Sequence, residues 1–188
     1  MLKGGYVMNA TNTPKSIDDT VKSFCKSIVP NAIPVYVPLR PEPWGIANEC
    51  YHNVAHKIKD SGGKRQLGWR IQVVPDPLPK FMIEAVHHAI WISDTGEQID
   101  ITPQSHSSNS IVFVPDDSVQ LGELRIGEKY QALFNCSLVK EYVRLCNLES
   151  TKYVGRTKLD EQPNIPPRLL NKQCKLLDKI VQKHGRII

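Results

Sequence analysis

Apolar residues recur along this chain with two periods, and the change from one to the other marks its elements. Ile17, Val21, Phe24 and Ile28 stand three or four apart, a helical stripe with Ser16 as the expected cap and acidic residues in its first turn. Cys25 lies on or beside that stripe. Tyr51, Val54, Ala55 and Ile58 repeat the spacing and Gly62-Gly63 supplies a stop, so a second helix carries Cys50 at or near its first turn. The stretch 67–74 alternates as a strand and is ended by Pro75, Pro77 and Pro79. Two more β-like runs, 85–92 and 98–102, flank Ser93-Asp94-Thr95-Gly96, a connection with hairpin chemistry. A polar loop at 105–110 precedes a short buried strand, 111–114. Prolines at 30, 34, 38, 41 and 43 exclude a helix and a central strand, leaving Val35-Tyr36-Val37 as an edge strand. Residues 137–148 and 168–184 read as helices, the second basic and closed by Gly185, whereas 116–129 shows turn residues and few periods.

Helices and antiparallel-type strands mixed in this way predict an α+β fold. At 188 residues the chain suits one domain with a sizeable core. The expected layout is a flexible arm at 1–15, a domain at 16–150, and an exposed arm with a basic helix at 151–188 packed on that domain.

Composition narrows the function classes. The 24 Lys and Arg against 19 Asp and Glu are dispersed, which describes a solvated surface and argues against nucleic acid as a partner. No apolar run approaches a membrane span and the start lacks a secretory pattern, so no membrane partner and a cytoplasmic location are expected. Five cysteines, odd in number and without a Cys-x-x-Cys pair, do not read as a disulfide framework. Free thiols persist in a reducing compartment, and one of them can be a working nucleophile.

The hairpin supplies the remainder of such a site. His88 lies near the middle of its first strand and Asp100 in the second. In strand phase His88 shares a face with Glu84, Val86, Ile90 and Ile92, and His87 shares one with Ile83, Ala85, Ala89 and Trp91. Both faces are largely apolar, so alternation leaves the choice of histidine open. A thiol near its ordinary pKa is mostly protonated at neutral pH, and a helix N-terminus or a nearby imidazolium favours its thiolate. Cys50, one of these histidines and Asp100 would then be nucleophile, base and orienting carboxylate.

The ordered set Cys50-x-x-Asn53-Val54, Gly62-Gly63, Gly68-Trp69, Glu84-Ala85-x-x-His88-Ala89-x-Trp91 and Asp100-x-Thr102-Pro103 resembles a group of small bacterial proteins. More broadly it resembles papain-like thiol hydrolases, including protein-glutaminases and transglutaminase-like proteins, across about 44–103. The resemblance implies a papain-like fold in which a Cys-bearing helix packs on an antiparallel sheet. It implies His88, directly before Ala89, as the triad histidine. The implied activity is a cysteine-dependent amide hydrolase, a deamidase or peptidase, acting on a protein or peptide through a thioester and needing no metal or other cofactor. No glutamine stands shortly upstream of Cys50, so Asn48 or Gln66 is the expected oxyanion-hole partner. Trp69 and Trp91 are expected groove walls, and Glu84 a substrate-amine contact or a support for the site.

Two other readings use the same residues. A fold of this type can be a non-enzymatic binding module, recognising a protein through the proline-rich segment and the C-terminal helix. His52 and His56, one helical turn apart, can also join Cys50 and His88 as zinc ligands, although the run lacks the glutamate of a metalloprotease helix.

Overall fold

The structure is a computed structural model that describes residues 12–74, 80–104 and 108–184. The strand-ending prolines at 75, 77 and 79, the Gly185 stop and most of the N-terminal arm lie outside those residues, as does part of the 105–110 loop.

The chain is mixed α+β. In order it forms α1 (Asp19–Ile28), β1 (Val35–Pro38), α2 (Cys50–Ser61), β2 (Lys64–Val74), β3 (Met82–Ile92), β4 (Gln98–Ile99), β5 (Ser110–Pro115), β6 (Lys129–Ala132), α3 (Ser137–Lys152) and α4 (Pro167–His184), with a short 3-10 turn after α3. The sheet has the order β1-β5-β2-β3-β4, with β6 also on β3, and its paired strands are all antiparallel. No helix among the described residues is long and apolar enough to cross a membrane.

Strand alternation divides the core. Trp69, Ile71 and Val73 of β2, Ile83 and Ala85 of β3 and Val112 and Val114 of β5 share one face, which α1 covers with Val21, Phe24 and Cys25. Residues of the opposite phase, Ile90, Ile111 and Phe113, close on Val37 of β1. Gly68 is required where these layers meet, because a Cβ there would stand 2.2 Å from the Val114 carbonyl oxygen and 2.6 Å from the Phe113 ring. The C-terminal helix α4 packs Leu177 and Ile180 against Val139, Tyr142 and Val143 of α3 and against Phe81 and Met82. α3 runs through residue 150, where the sequence divides domain from arm.

Three local expectations change. The cap of α1 is Asp18, whose Oδ1 accepts the Val21 N–H at 2.9 Å; a carboxylate in position outcompetes the serine two residues earlier. β4 stops at Ile99, because Asp100 leaves the hairpin: its N–H donates to the Pro38 carbonyl and its own carbonyl accepts from Arg40 N–H. β6 falls in a region whose residues show no strand period; its pairing with Met82–Ala85 of β3 makes it a strand.

Candidate active site

The outer edge of β3 is paired with β6 over Met82–Ala85 and with β4 over Trp91–Ile92. Among the described residues no strand covers the interval between, and the first turn of α2 approaches it. The Tyr51 hydroxyl lies 2.8 Å from His87 Nδ1 and 3.3 Å from the His87 carbonyl oxygen, so a side chain takes the place of a missing ladder partner. Val54 is fully buried with Leu67, Ala89 and Ile101 beneath the helix, which fixes α2 against the sheet and Cys50 over the gap.

The other motif residues hold this arrangement. Asn53 binds the loop before the helix through both amide atoms: Oδ1 accepts Ile46 N–H at 3.0 Å and Nδ2 donates to the Ile46 carbonyl at 2.8 Å. Its Nδ2 also reaches Thr102 Oγ1 at 3.3 Å, joining the helix to the segment after Asp100. Pro103 packs so close to Gly45 that a Cβ on that glycine would stand 2.8 Å from its ring. At the far end, Gly62 and Gly63 take positive φ, and a Gly63 Cβ would meet the Ile92 carbonyl at 2.3 Å. The Trp91 indole N–H donates to the Gly62 carbonyl at 3.0 Å, so this tryptophan secures the C-terminal end of α2.

His88 and Asp100 meet in the interior. Nε2 of His88 lies 3.0 Å from Asp100 Oδ2, and both side chains are almost wholly buried. The approach is bent away from the N–H axis, so the contact is a charge pair more than a straight hydrogen bond. Asp100 is further fixed by Thr102 N–H on Oδ1 at 3.0 Å and Gln104 Nε2 on Oδ2 at 3.3 Å. Burial acts against charge on His88, but the charges of Asp100 and Cys50 and their close contacts with the ring outweigh it and push the imidazole up to about 9. Nδ1 is the ring nitrogen left for the Cys50 thiol.

His87 is the opposite case. Burial drives its pKa down to about 4, His88 adds to the depression, and Asp116 opposes it. Its ring stands edge-on to Trp69 at 5.1 Å, and Trp69 Nε1 donates to Asp116 Oδ2 at 2.8 Å. The two adjacent histidines are therefore an imidazolium beside a carboxylate and a neutral ring held by a tyrosine.

Cys50, Tyr51, His88 and Asn48 line a cavity of about 310 Å3. Asn48 has a φ of 67°, and its neighbour Glu49 gives no side-chain cap to α2, so the helix presents its first N–H groups uncapped. The far wall comes from Arg125, Val154 and Leu159, so part of the 151–188 segment belongs to the site. That wall is tied together by Arg125, whose backbone N–H donates to the Thr157 carbonyl and whose guanidinium donates to the Leu159 and Glu161 carbonyls.

Four sequence candidates do not line this cavity. Gln66 turns to the surface, where its Nε2 donates to Asp117 Oδ1 at 2.7 Å and to the Leu67 carbonyl at 2.9 Å. Trp69 belongs to the α1 face, and Trp91 to the end of α2. Glu84 is buried two residues below Val86; burial lifts its carboxyl to about 7 against the pull of Arg70. The zinc set is not assembled either: His52 is exposed and 3.8 Å from Glu49, and His56 stacks edge-on against Trp44. Among the described residues no three such side chains form a metal-ligand group.

Sequence reasoning missed Arg70 and Gln104, both on the cavity wall. Gln104 Oε1 accepts from Arg70 Nη1 while its Nε2 holds Asp100 and the Thr102 carbonyl at 3.2 Å. Arg70 entered only as part of the Gly68-Trp69-Arg70-Ile71 stretch and Gln104 lies just beyond Pro103; the alternation of β2, which puts Arg70 opposite Val86 on the His88 face, was the available signal. A larger cavity of about 710 Å3 opens beside Trp69 and Asp116 and shares Arg125 and Ile126 with the first; its described lining holds a Ser118 hydroxyl donating to Asp116 Oδ1 but no cysteine or histidine.

The class defined by these residues is an α+β chain with a cysteine, a histidine and an aspartate meeting at a cavity wall. No family model, curated protein or solved structure matches the chain.

Proposed function

We propose that this chain is a papain-like, cysteine-dependent amide hydrolase working through Cys50, His88 and Asp100. The observation that carries the reading is a single imidazole placed between a thiol at a helix start and a buried carboxylate, on the wall of a cavity. The thiolate attacks the amide carbon, and negative charge gathers on its oxygen. Asn48 and the uncapped N–H groups of α2 are the donors for that charge. His88 gives its proton to the departing nitrogen, leaving a thioester on Cys50. Water then loses a proton to His88 as it attacks the thioester, and the acid departs.

A cavity of about 310 Å3, walled by Val154 and Leu159, suits a side-chain amide better than an extended peptide. Deamidation of a protein or peptide is accordingly the preferred form of the activity, with peptide cleavage as the broader one. All five cysteines are free, which fits a cytoplasmic setting.

The test is ammonia release from glutamine-containing proteins together with a mass search for an acyl adduct on Cys50. Both should vanish in Cys50→Ala and fall steeply in His88→Ala. Absence of ammonia and adduct, with Cys50 alkylated no faster than Cys25, Cys146 and Cys174, would overturn the reading. A second reading, a non-enzymatic protein-binding module, rests on the apolar side chains left exposed along the proline-rich segment, Ile33, Tyr36, Trp44 and Ile46.

A further inference from the structure

Arg70 is a charged group of the Cys50 cavity that the proposed chemistry does not use. Its contacts are with neutral acceptors: Nη1 donates to Gln104 Oε1 and Nη2 to Gln72 Oε1 at 3.2 Å. Its Nε is buried with no hydrogen-bond partner. Among the described residues neither Arg70 nor Arg125, the second arginine of the cavity, belongs to an ion pair. The nearby carboxylates have other roles. Asp100 is paired with His88, and Glu84 is buried, which lifts its carboxyl to about 7 against the pull of Arg70. Glu128 is the one carboxylate on the cavity wall, and Arg70 and Arg125 outnumber it.

A guanidinium keeps its proton throughout the ordinary pH range, and a buried charge without a counter-ion is costly. Its planar fork of N–H donors matches a carboxylate. The Asp100 carboxylate acts on Arg70 through space, followed by the Cys50 sulfur and Glu84, but Asp100 is committed to His88 and the sulfur is taken up when it is acylated. We infer that Arg70 receives a carboxylate of the substrate, so the acyl group taken by Cys50 comes from a molecule with an acidic group close to the scissile amide. This inference rests on the reading of Cys50 as the nucleophile and adds the class of substrate to it.

Iodoacetate and iodoacetamide test it, because they differ only in carboxylate against carboxamide. With either reagent the thiolate forms a carbon–sulfur bond and iodide leaves. Mass mapping of the wild-type protein should give an iodoacetate-to-iodoacetamide rate ratio at Cys50 about tenfold above that at exposed Cys174, as expected for one charge-assisted contact. Arg70→Gln should bring the ratio to the Cys174 value, and Arg70→Lys should keep part of it. Fast iodoacetamide labelling of Cys50 with an ordinary ratio would overturn the inference and leave the thiol hydrolase standing. Slow labelling by both reagents would overturn the hydrolase reading itself. A high ratio that survives Arg70→Gln would assign the effect to His88 and overturn the role of Arg70. Protection of Cys50 from iodoacetamide by glutarate, or by a glutamyl peptide blocked at both ends, then tells a small acid from an acidic peptide as the source. Protection by neither would count against the inference.

Discussion

Two Cys–His pairs stand among the described residues, and they differ in what lies behind the imidazole. Cys136 is the N-cap of α3, with His184 Nε2 3.4 Å and Lys183 Nζ 4.0 Å from its sulfur. Backbone hydrogen bonding at Val139, the His184 contact, the N–H of Leu138 and the charge of Lys183 together outweigh burial and bring this thiol down to about 7. Cys50 likewise begins a helix and meets a histidine. Behind His88, however, lies Asp100, fixed by Thr102 and Gln104, whereas no described carboxylate pairs with His184, whose ring packs on Phe134. Cys50 lines a cavity, and Cys136 lines neither of the two described above. A helix start and one imidazole are enough to lower a thiol; a held imidazole and room for a substrate are further requirements. Raw alkylation rate therefore does not separate the two pairs, and dependence on partner residues does.

The largest effect should follow removal of the buried carboxylate. Asp100→Ala leaves an uncompensated imidazolium and should cost about 3–5 kcal/mol in urea unfolding. Removing the partner at the part-buried Cys136 pair, His184→Ala, should cost less, about 1 kcal/mol. Equal losses would erase the distinction drawn between the pairs.

Next in size is reactivity. His88→Ala should slow iodoacetamide labelling of Cys50 about 10²-fold and leave Cys136 unchanged, while His184→Ala should do the reverse more weakly. Labelling of Cys136 should rise through about pH 7.

NMR titration sharpens the contrast within β3 itself. His88 should hold its proton until about 9 and His87 should stay neutral until about 4. A folded pKa above the ordinary histidine value means that the native state binds the proton more tightly. The His88 pair thus contributes fully below about 6.5, and that contribution is lost as pH rises to about 9. The sign reverses for His87, where stability present above about 6.5 is lost as pH falls toward 4. If both rings titrate near 6.5, the electrostatic account of His88 is wrong.

The smallest expected effect concerns the loop before α2. Asn53→Ala removes three hydrogen bonds, leaves the Ile46 N–H without its acceptor, and should cost about 1–3 kcal/mol. Labelling of Cys50 should slow, and that of Cys136 should not change. Unaltered Cys50 labelling would show that the loop does not position the thiol.

Much of this was readable in the residues. The 3.6 period and Gly62-Gly63 mark α2, and the alternating runs around Ser93-Asp94-Thr95-Gly96 mark the hairpin, because both signals are local. Motif residues that looked functional proved to be fasteners: Asn53 holds the loop, Trp91 the end of α2, and Pro103 packs on Gly45. Gln66 and Trp69 were expected at the site, yet Gln66 is drawn to Asp117 at the surface and strand phase puts Trp69 on the α1 face, its indole on Asp116.

By itself the sequence determined the element types, the helix start at Cys50 and the order in which thiol, imidazole and carboxylate appear. Strand phase left His87 and His88 equivalent, because a period of two assigns faces without saying what each face meets, and only the motif resemblance favoured His88. The tertiary structure decided that question by sending Asp100 out of the hairpin to Pro38 and Arg40, which turns its carboxylate to His88. It also brought Arg70 and Gln104 to the same cavity from segments over thirty residues apart. Such meetings depend on register and on the packing of distant segments, and these are properties of paired strands rather than of any one stretch.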